Sequence, residues 1–253
     1  MKVYIYTIPK AGTYFLADFV TRLGFRNTGF HVSQSEFLNT HKLDHETNIK
    51  YPVRAIEKQF FVKTLRGLSD LDLAFGHFPV PLMSMLFPGF FFVCSYRHPR
   101  TTLVAEFVDF RFRRADVKRL NRERIPDDRS AFCAYLENEG PGHINIFAKM
   151  IGVTLLANEA LYQAADGHRF HVLNFDELLK DPTVAINLAS ALGVDAERAI
   201  AALDETRSAE TKTKATGLAI DREAFWSDRA EEIYHKLNAE AFVARGRELG
   251  WTI

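Results

Sequence analysis

The sequence predicts an α/β domain with a central, mainly parallel β-sheet flanked by helices. Two observations favour this class. Short runs of β-branched and aromatic residues alternate with segments of helical pattern along the 253 residues. Polar residues and turn formers stand where those apolar runs end. Because no repeat, low-complexity tract or Gly/Ser linker divides the chain, we expect a single domain over residues 1–253.

The first predicted strand covers residues 3–8 and ends at Pro9. A helix is predicted from residue 14 to residue 23, with Thr13 as its N-cap and Gly24 as the residue that closes it. Further strands and helices follow in alternation. The predicted strands are 71–75, 90–96 and 170–174, and the predicted helices are 100–113, 176–180 and 228–249.

Composition excludes several classes of protein. Hydrophobic residues make up 47 % of the chain, and the 32 basic and 32 acidic residues give no net charge, which argues against a bulk nucleic-acid binder. Cys94 and Cys133 have no metal-ligand spacing, so we expect a reducing compartment and no metal site.

The N-terminal apolar run is too short for a signal peptide and residues 86–94 are too few for a membrane span, so we expect a cytoplasmic protein. No pattern indicates the oligomeric state.

The turn after the first strand has the chemistry of a phosphate-binding loop. A Gly-containing turn that enters a helix offers free N–H donors and the positive end of the helix dipole. Lys10 adds a mobile positive charge, Gly12 permits close backbone approach, and the Thr13 hydroxyl adds a donor. The spacing differs from the nucleotide-kinase motif GxxxxGK[ST], and no acidic residue at a strand end is an evident magnesium ligand.

Other polar residues follow the next strands. His77 comes after the strand 71–75, and Arg97 with His98 comes after the strand 90–96. Because ligands of open parallel sheets bind at the carboxyl ends of the strands, we expect these residues to lie around one site.

These segments resemble, in chain order, those of PAPS-dependent sulfotransferases, where PAPS is 3′-phosphoadenosine 5′-phosphosulfate. The turn Pro9-Lys10-Ala11-Gly12-Thr13 resembles the PKSGT loop that binds the 5′-phosphosulfate. The other matching segments run to the last residues: Gly76 to Pro79 (THLP-like), Tyr96 to Arg100 (RNPRD-like), Asn174 to Pro182 (YEDLxxDP-like), Thr211 to Trp226 and Leu249 to Trp251. The resemblance implies a P-loop NTPase-like fold, PAPS as co-substrate and a small-molecule or carbohydrate acceptor.

The resemblance also implies roles for single residues. The cofactor-binding residues would be Lys10, Ala11, Gly12, Thr13, Tyr14, Arg97, Lys212 and Lys214, and the catalytic residues His77 and Lys10. Lys10 would stabilise the bridging oxygen as it gains charge, and Arg97 would bind the 3′-phosphate. His77, with an ordinary pKa of roughly 6.5, would serve as general base. A transferring sulfuryl group carries less negative charge than a phosphoryl group, so cationic side chains and N–H dipoles would suffice without a metal.

The 3′-phosphate segment departs from the family pattern. Ala105 stands where the family has a Ser, His98 where it has an Asn, and Thr101 where it has an Asp. Thr101, Lys212 or Lys214 would then have to supply the missing phosphate donor.

Several residues keep more than one interpretation. Glu106 or Asp109 would be the base if His77 is not, and His143 is expected to cap or pack more than to face the acceptor. Asp176 and Glu177 are expected to cap a helix or to pair. The basic stretch 113–129 reads as a solvated, mobile surface segment, with a lid over the acceptor as the alternative.

Two other functions stay open at this level. A small-molecule or nucleotide kinase of similar architecture would need magnesium-ATP, and the loop spacing speaks against it. A nucleotide-binding protein without turnover is the alternative outside enzymes, with Ala105 and Thr101 as marks of a decayed site. The acceptor is not identified, because the 22 Phe indicate an apolar pocket while the basic stretch indicates an anionic carbohydrate.

Overall fold

A twisted β-sheet forms the centre of the computed structural model, which describes residues 1–32, 37–39, 65–77, 89–113, 120–158, 169–209 and 220–253. Its strands in chain order are β1 (Lys2–Thr7), β2 (Arg26–Val32), β3 (Phe37–Asn39), β4 (Asp72–Gly76), β5 (Phe90–Tyr96) and β6 (Arg169–Asn174). Their spatial order is β3-β2-β4-β1-β5-β6. All neighbouring pairs are parallel except β2 with β3, which confirms a mainly parallel sheet.

Helices connect and cover the strands. Their bounds are α1 (Thr13–Arg22), α2 (Pro99–Val108), α3 (Asp128–Asn138), α4 (Gly140–Asn158), α5 (Phe175–Lys180), α6 (Pro182–Ala191), α7 (Ala196–Ser208), α8 (Asp228–Lys236) and α9 (Ala239–Glu248). A π-helical turn, Asp109–Arg113, extends α2, and a 3₁₀ turn covers Glu223–Phe225. None of the helices in the described ranges has both the length and the apolar character needed to cross a bilayer.

The strands pack on both faces, which explains their nearly continuous apolar sequences. Along β1, Tyr4 and Tyr6 join the core that contains α2, α3 and α4. Val3 and Ile5 point to the other face, where α1 and α5 to α7 cover the sheet. Burial on two faces fixes the position of each strand end, and the strand ends carry the polar residues that the sequence singled out.

The predicted strands agree with the structure to within a residue or two at each end, and the strand at 90–96 matches β5 at both ends. The sequence did not predict β2 and β3. The predicted end of α1 is confirmed. Gly24, at φ 110°, donates its N–H to Thr21 O at 3.0 Å, and Phe25 N donates to Val20 O at 3.3 Å. This pair of bonds satisfies carbonyls that the helix end would leave open.

The prediction that Thr13 caps α1 is wrong. Thr13 is the first helical residue, and the cap is Gly12, which has no side chain to accept a hydrogen bond. The Thr13 hydroxyl instead lies 2.6 Å from the hydroxyl of Thr7 at the end of β1. A contact between two elements has replaced the local cap.

Two predicted helices also differ from the structure. The helix predicted at 100–113 is α-helical only to Val108 and continues as the π-helical turn. The helix predicted at 228–249 is two helices, broken at Leu237 and Asn238, where Asn238 has a φ of 54°. Of the basic stretch at 113–129, residues 114–119 lie outside the described part of the chain. Leu120 is buried, and Asp128 begins α3.

Candidate active site

The turn between β1 and α1 is shaped by two residues in the left-handed region. Lys10 has a φ of 67° and Gly12 a φ of 82°. Ala11 N donates to Ile8 O at 3.0 Å, and the Ser95 hydroxyl on β5 donates to Ala11 O at 2.9 Å. The backbone is therefore curled at the entrance of α1, where the first N–H groups of a helix have no intrahelical acceptor. Such an arrangement favours an anion.

Gly12 is required at its position by space as well as by its backbone angles. A Cβ atom there would lie 2.1 Å from the ring of Phe175, the first residue of α5. The Phe175 ring also packs edge-on against Phe15 of α1. The ring thus closes one side of the turn, and only a glycine lets the backbone approach it.

Lys10 reaches across to the end of α2. Its Nζ lies 2.7 Å from Oδ2 of Asp109, and about a fifth or less of each side chain is exposed. Burial of this degree strengthens an ion pair relative to one in water. The pair holds the candidate cation beside the turn and links the turn to the helix that follows β5.

His77 follows β4 and is fixed by the end of β1. Its Nδ1 lies 2.8 Å from the carbonyl oxygen of Thr7 and 3.3 Å from the Thr7 hydroxyl. A carbonyl oxygen can only accept, so Nδ1 carries the hydrogen and Nε2 of a neutral ring carries the lone pair. None of the described residues hydrogen-bonds this Nε2, and it is not among the fully buried polar atoms. His77 therefore presents an open proton acceptor.

Burial lowers the pKa of His77 from its ordinary value, and the charges of Lys10 and His143 act in the same direction. The hydrogen bond to Thr7 and the negative charge of Glu106 oppose the shift without reversing it. The ring is consequently neutral at neutral pH, which is the state a general base requires.

A second histidine, His31 of β2, packs against His77 with ring centroids 5.2 Å apart. Burial, with the charges of His77 and Lys10, lowers the pKa of His31 to about 3. Its Nδ1 lies 3.2 Å from the hydroxyl of Tyr14, whose ring also contacts Phe75. The Tyr14 hydroxyl, one of the predicted cofactor contacts, thus lies on the His31 side of the turn.

Arg97 follows β5 and is paired with Asp176 of α5. Its Nε lies 2.9 Å from both carboxylate oxygens, and Nη2 lies 2.6 Å from Oδ1. The guanidinium carbon is 5.6 Å from the centre of the Phe175 ring, the ring that packs against Gly12. His98 is the N-cap of α2 and accepts a hydrogen bond from Arg100 N at 3.2 Å. Asp176 therefore pairs, as the sequence predicts, and it neutralises the candidate phosphate-binding arginine.

Glu106 and His143 form a buried pair on the inner side of α2. Nδ1 of His143 lies 2.8 Å from Oε2 of Glu106, and the Tyr135 hydroxyl donates to the same oxygen at 2.7 Å. Burial acts to raise the pKa of Glu106, but the charge of His143, the two hydrogen bonds and Lys10 outweigh it and bring that pKa to about 2. A carboxylate with so low a pKa is a poor proton acceptor, so the neutral His77 is the better proton acceptor of the two.

The predicted site residues thus fall into two neighbouring regions. Residues 10–14 and His77 lie around the ends of β1 and β4, and Arg97 lies at the end of β5. Lys212 and Lys214 lie outside the described residues. Sequence reasoning missed Thr7 and His31, both of which contact this region. No local signal could have identified them, because each acts through residues distant in sequence.

Comparison with known proteins shows the fold. No protein-family model and no curated protein matches the sequence. Among solved structures, mouse sulfotransferase SULT7A1 complexed with PAP matches with a TM-score of 0.56 and 14 % identity, over 94 % of this chain and 82 % of that one. Retinol dehydratase in complex with androsterone and the inactive cofactor PAP matches with a TM-score of 0.49 and 13 % identity, over 96 % and 79 %.

The match to the mouse enzyme extends over nearly the whole chain. It agrees with the mainly parallel sheet. The chain therefore has the fold of the sulfotransferases, as the resemblance of its motifs predicts.

Proposed function

We propose that this protein transfers a sulfuryl group from PAPS to a hydroxyl acceptor. The observation that carries the proposal is His77, a neutral histidine with its Nδ1–H bound to Thr7 and its Nε2 open, beside the Lys10–Thr13 turn. The fold shared with a sulfotransferase that binds PAP supports the same reaction. A base beside an anion-binding turn is what an in-line transfer from a phosphosulfate requires.

In this reaction each residue has one task. Nε2 of His77 takes the proton of the acceptor hydroxyl as its oxygen forms a bond to sulfur. The bond between sulfur and the bridging oxygen breaks, and the electron pair stays on the 5′-phosphate of the product, 3′-phosphoadenosine 5′-phosphate (PAP). Lys10 and the N–H groups at the start of α1 stabilise that oxygen as its charge grows. Arg97 binds the 3′-phosphate, in exchange for part of its pairing with Asp176.

The first test is the identity of the nucleotide. Titration calorimetry with PAP, and separately with ATP and magnesium, would compare wild type, Lys10→Ala and the control Lys236→Ala, in which an exposed surface lysine is removed. We expect metal-independent binding of PAP that Lys10→Ala weakens by about tenfold or more and Lys236→Ala leaves unchanged.

Each other result points to another function. Binding of magnesium-ATP with no binding of PAP would replace the sulfotransferase proposal with a kinase. Binding of PAP by a protein that never transfers label from PAPS, and in which an acidic replacement of His77 changes nothing, would favour a nucleotide-binding protein without turnover.

A further inference from the structure

A buried polar cluster that the reaction proposed above does not use lies between α2, α3 and α4. It is formed by Thr102, Glu106, Tyr135 and His143. The Thr102 hydroxyl donates to Pro99 O at 3.0 Å, so it accepts from Nε2 of His143, which lies 2.9 Å away. The other ring nitrogen faces Glu106 at 2.8 Å. The two ring nitrogens of His143 therefore bridge the Glu106 carboxylate and the Thr102 hydroxyl.

The two oxygens of Glu106 are in different environments. Oε2 receives the hydrogen bonds from Tyr135 and His143. Oε1 receives no hydrogen bond from the described residues, and it is not a fully buried atom. The Glu106 side chain is 16 % exposed, so it is not sealed inside the cluster. The cluster thus fixes a carboxylate by one oxygen and leaves the other open.

Glu106 lies on the side of α2 that also carries Asp109. Glu106 is three residues before Asp109, and residues at this spacing share a helix face. Asp109 contacts Lys10 at 2.7 Å. The charge of Glu106 acts to raise the pKa of His77, and the charge of Lys10 acts to lower the pKa of Glu106.

We propose that Glu106 determines acceptor specificity by receiving a hydrogen bond from a second donor that lies next to the reacting hydroxyl of the acceptor. The favoured acceptor class is then a vicinal dihydroxy compound. An acceptor with a carboxylate at that place is disfavoured, because two carboxylates repel each other and neither can donate. The inference rests on the proposed sulfuryl transfer.

Three aromatic compounds of matched size test this assignment: phenol, catechol with a neighbouring hydroxyl, and salicylate with a neighbouring carboxylate. Transfer of label from PAPS would be measured as kcat/KM for wild type and Glu106→Gln. We expect wild type to prefer catechol to phenol by about tenfold or more and to use salicylate least. In Glu106→Gln the ratio of kcat/KM for catechol to that for phenol should fall, and the ratio for salicylate to phenol should rise. Because both proteins meet the same compounds, differences in acceptor acidity cancel in this comparison.

Tyr135→Phe is the matched control. It removes a hydrogen bond from the same carboxylate but leaves Oε1 open, so it disturbs the cluster without removing the proposed contact. We expect it to keep the order catechol, phenol, salicylate. If Glu106→Gln acted only by loosening the cluster, Tyr135→Phe would change the order of the three acceptors as well.

The outcomes separate this inference from the function on which it rests. Transfer by wild type without a preference for catechol over phenol overturns the role of Glu106 and leaves sulfuryl transfer intact, whatever the variants do. An unchanged order in Glu106→Gln overturns it as well. Binding of PAP with no transfer to any of the three compounds overturns this inference alone, whereas no binding of PAP overturns the proposed function and this inference with it.

Discussion

The two halves of the proposed nucleotide site are built in different ways. Around the ends of β1 and β4, backbone shape and neutral hydrogen bonds hold the turn and His77, and Nε2 of His77 is open. At the end of β5, charge holds Arg97, whose guanidinium is bound to Asp176 through Nε and Nη2. In the first region only Lys10 must exchange an ion pair, the one with Asp109, while the base and the backbone N–H groups have no ion pair within the described residues. In the second region the phosphate-binding arginine itself must exchange its pair with Asp176.

This difference suggests a division of labour. A base and an anion-binding turn need fixed geometry more than net charge, because their effect depends on distances to the reacting atoms. An arginine that binds a terminal phosphate mainly adds affinity, and prior pairing with Asp176 reduces what it adds. We therefore expect substitutions in the first region to affect rate and stability strongly, and those in the second to affect affinity moderately.

The largest effect should follow the loss of the His77 base. In His77→Gln we expect the rate of transfer to catechol to fall by roughly 100-fold to 10,000-fold, the range for removal of a general base. Binding of PAP should persist, since Nε2 faces the acceptor. Initial rates with labelled PAPS measure the transfer, and calorimetry measures the binding of PAP. His235→Gln, at an exposed position on α8, is the control and should keep the wild-type rate.

The same base sets the pH dependence of wild type. Because burial lowers the pKa of His77, its neutral form persists as the pH falls through the ordinary value of roughly 6.5. The rate should then be level from neutral pH to below that value and decline only at more acidic pH. A decline centred at or above 6.5 would contradict a buried, neutral His77 as the base.

The next effect concerns stability. Gly12→Ala should lower the free energy of unfolding by about 2–4 kcal/mol, because the new Cβ combines an unfavourable φ with overlap of the Phe175 ring. Urea denaturation measures the change. Gly142→Ala is matched to it, since that glycine lies in α4 with no atom within 4 Å of its added Cβ. We expect this control to keep or raise stability, by up to about 1 kcal/mol. Equal losses of unfolding free energy in the two variants would contradict the steric role of Phe175.

The smallest effect is expected in the second region. Arg97→Ala should weaken binding of PAP by about tenfold and leave adenosine 5′-phosphate, which lacks the 3′-phosphate, unaffected. Asp176→Asn keeps the arginine and removes its competitor, so it should tighten binding of PAP by a few-fold. Titration calorimetry with PAP and with adenosine 5′-phosphate measures both affinities in each variant. Equal losses for the two nucleotides in Arg97→Ala would place the 3′-phosphate elsewhere.

The sequence predicts the first region better than the second. A strand followed by Lys10, Gly12 and Thr13 is a local pattern, and the positive φ of Gly12 agrees with its use there. The pairing of Arg97 with Asp176 joins residues that are 79 positions apart, and nothing local indicates how completely the carboxylate occupies the guanidinium.

Errors in the fold have similar causes. Thr13 has the residue type of an N-cap, but a tertiary contact with Thr7 directs its hydroxyl elsewhere. β2 contains Asn27 and Gly29, residue types that are depleted in strands, so β2 and with it His31 were missed. The open oxygen of Glu106 depends on side chains from two other helices and has no counterpart in local sequence.

The ring of Phe175 gives the two regions a common boundary. One face lies against Gly12, and the guanidinium of Arg97 lies 5.6 Å from its centre. The turn and the arginine are therefore coupled through one side chain, because a smaller residue at 175 would relax the steric demand for glycine at position 12 and would also withdraw the surface beside the arginine. Double-mutant cycles between Gly12 and Arg97 should be non-additive for nucleotide binding, although the two residues belong to different strand ends.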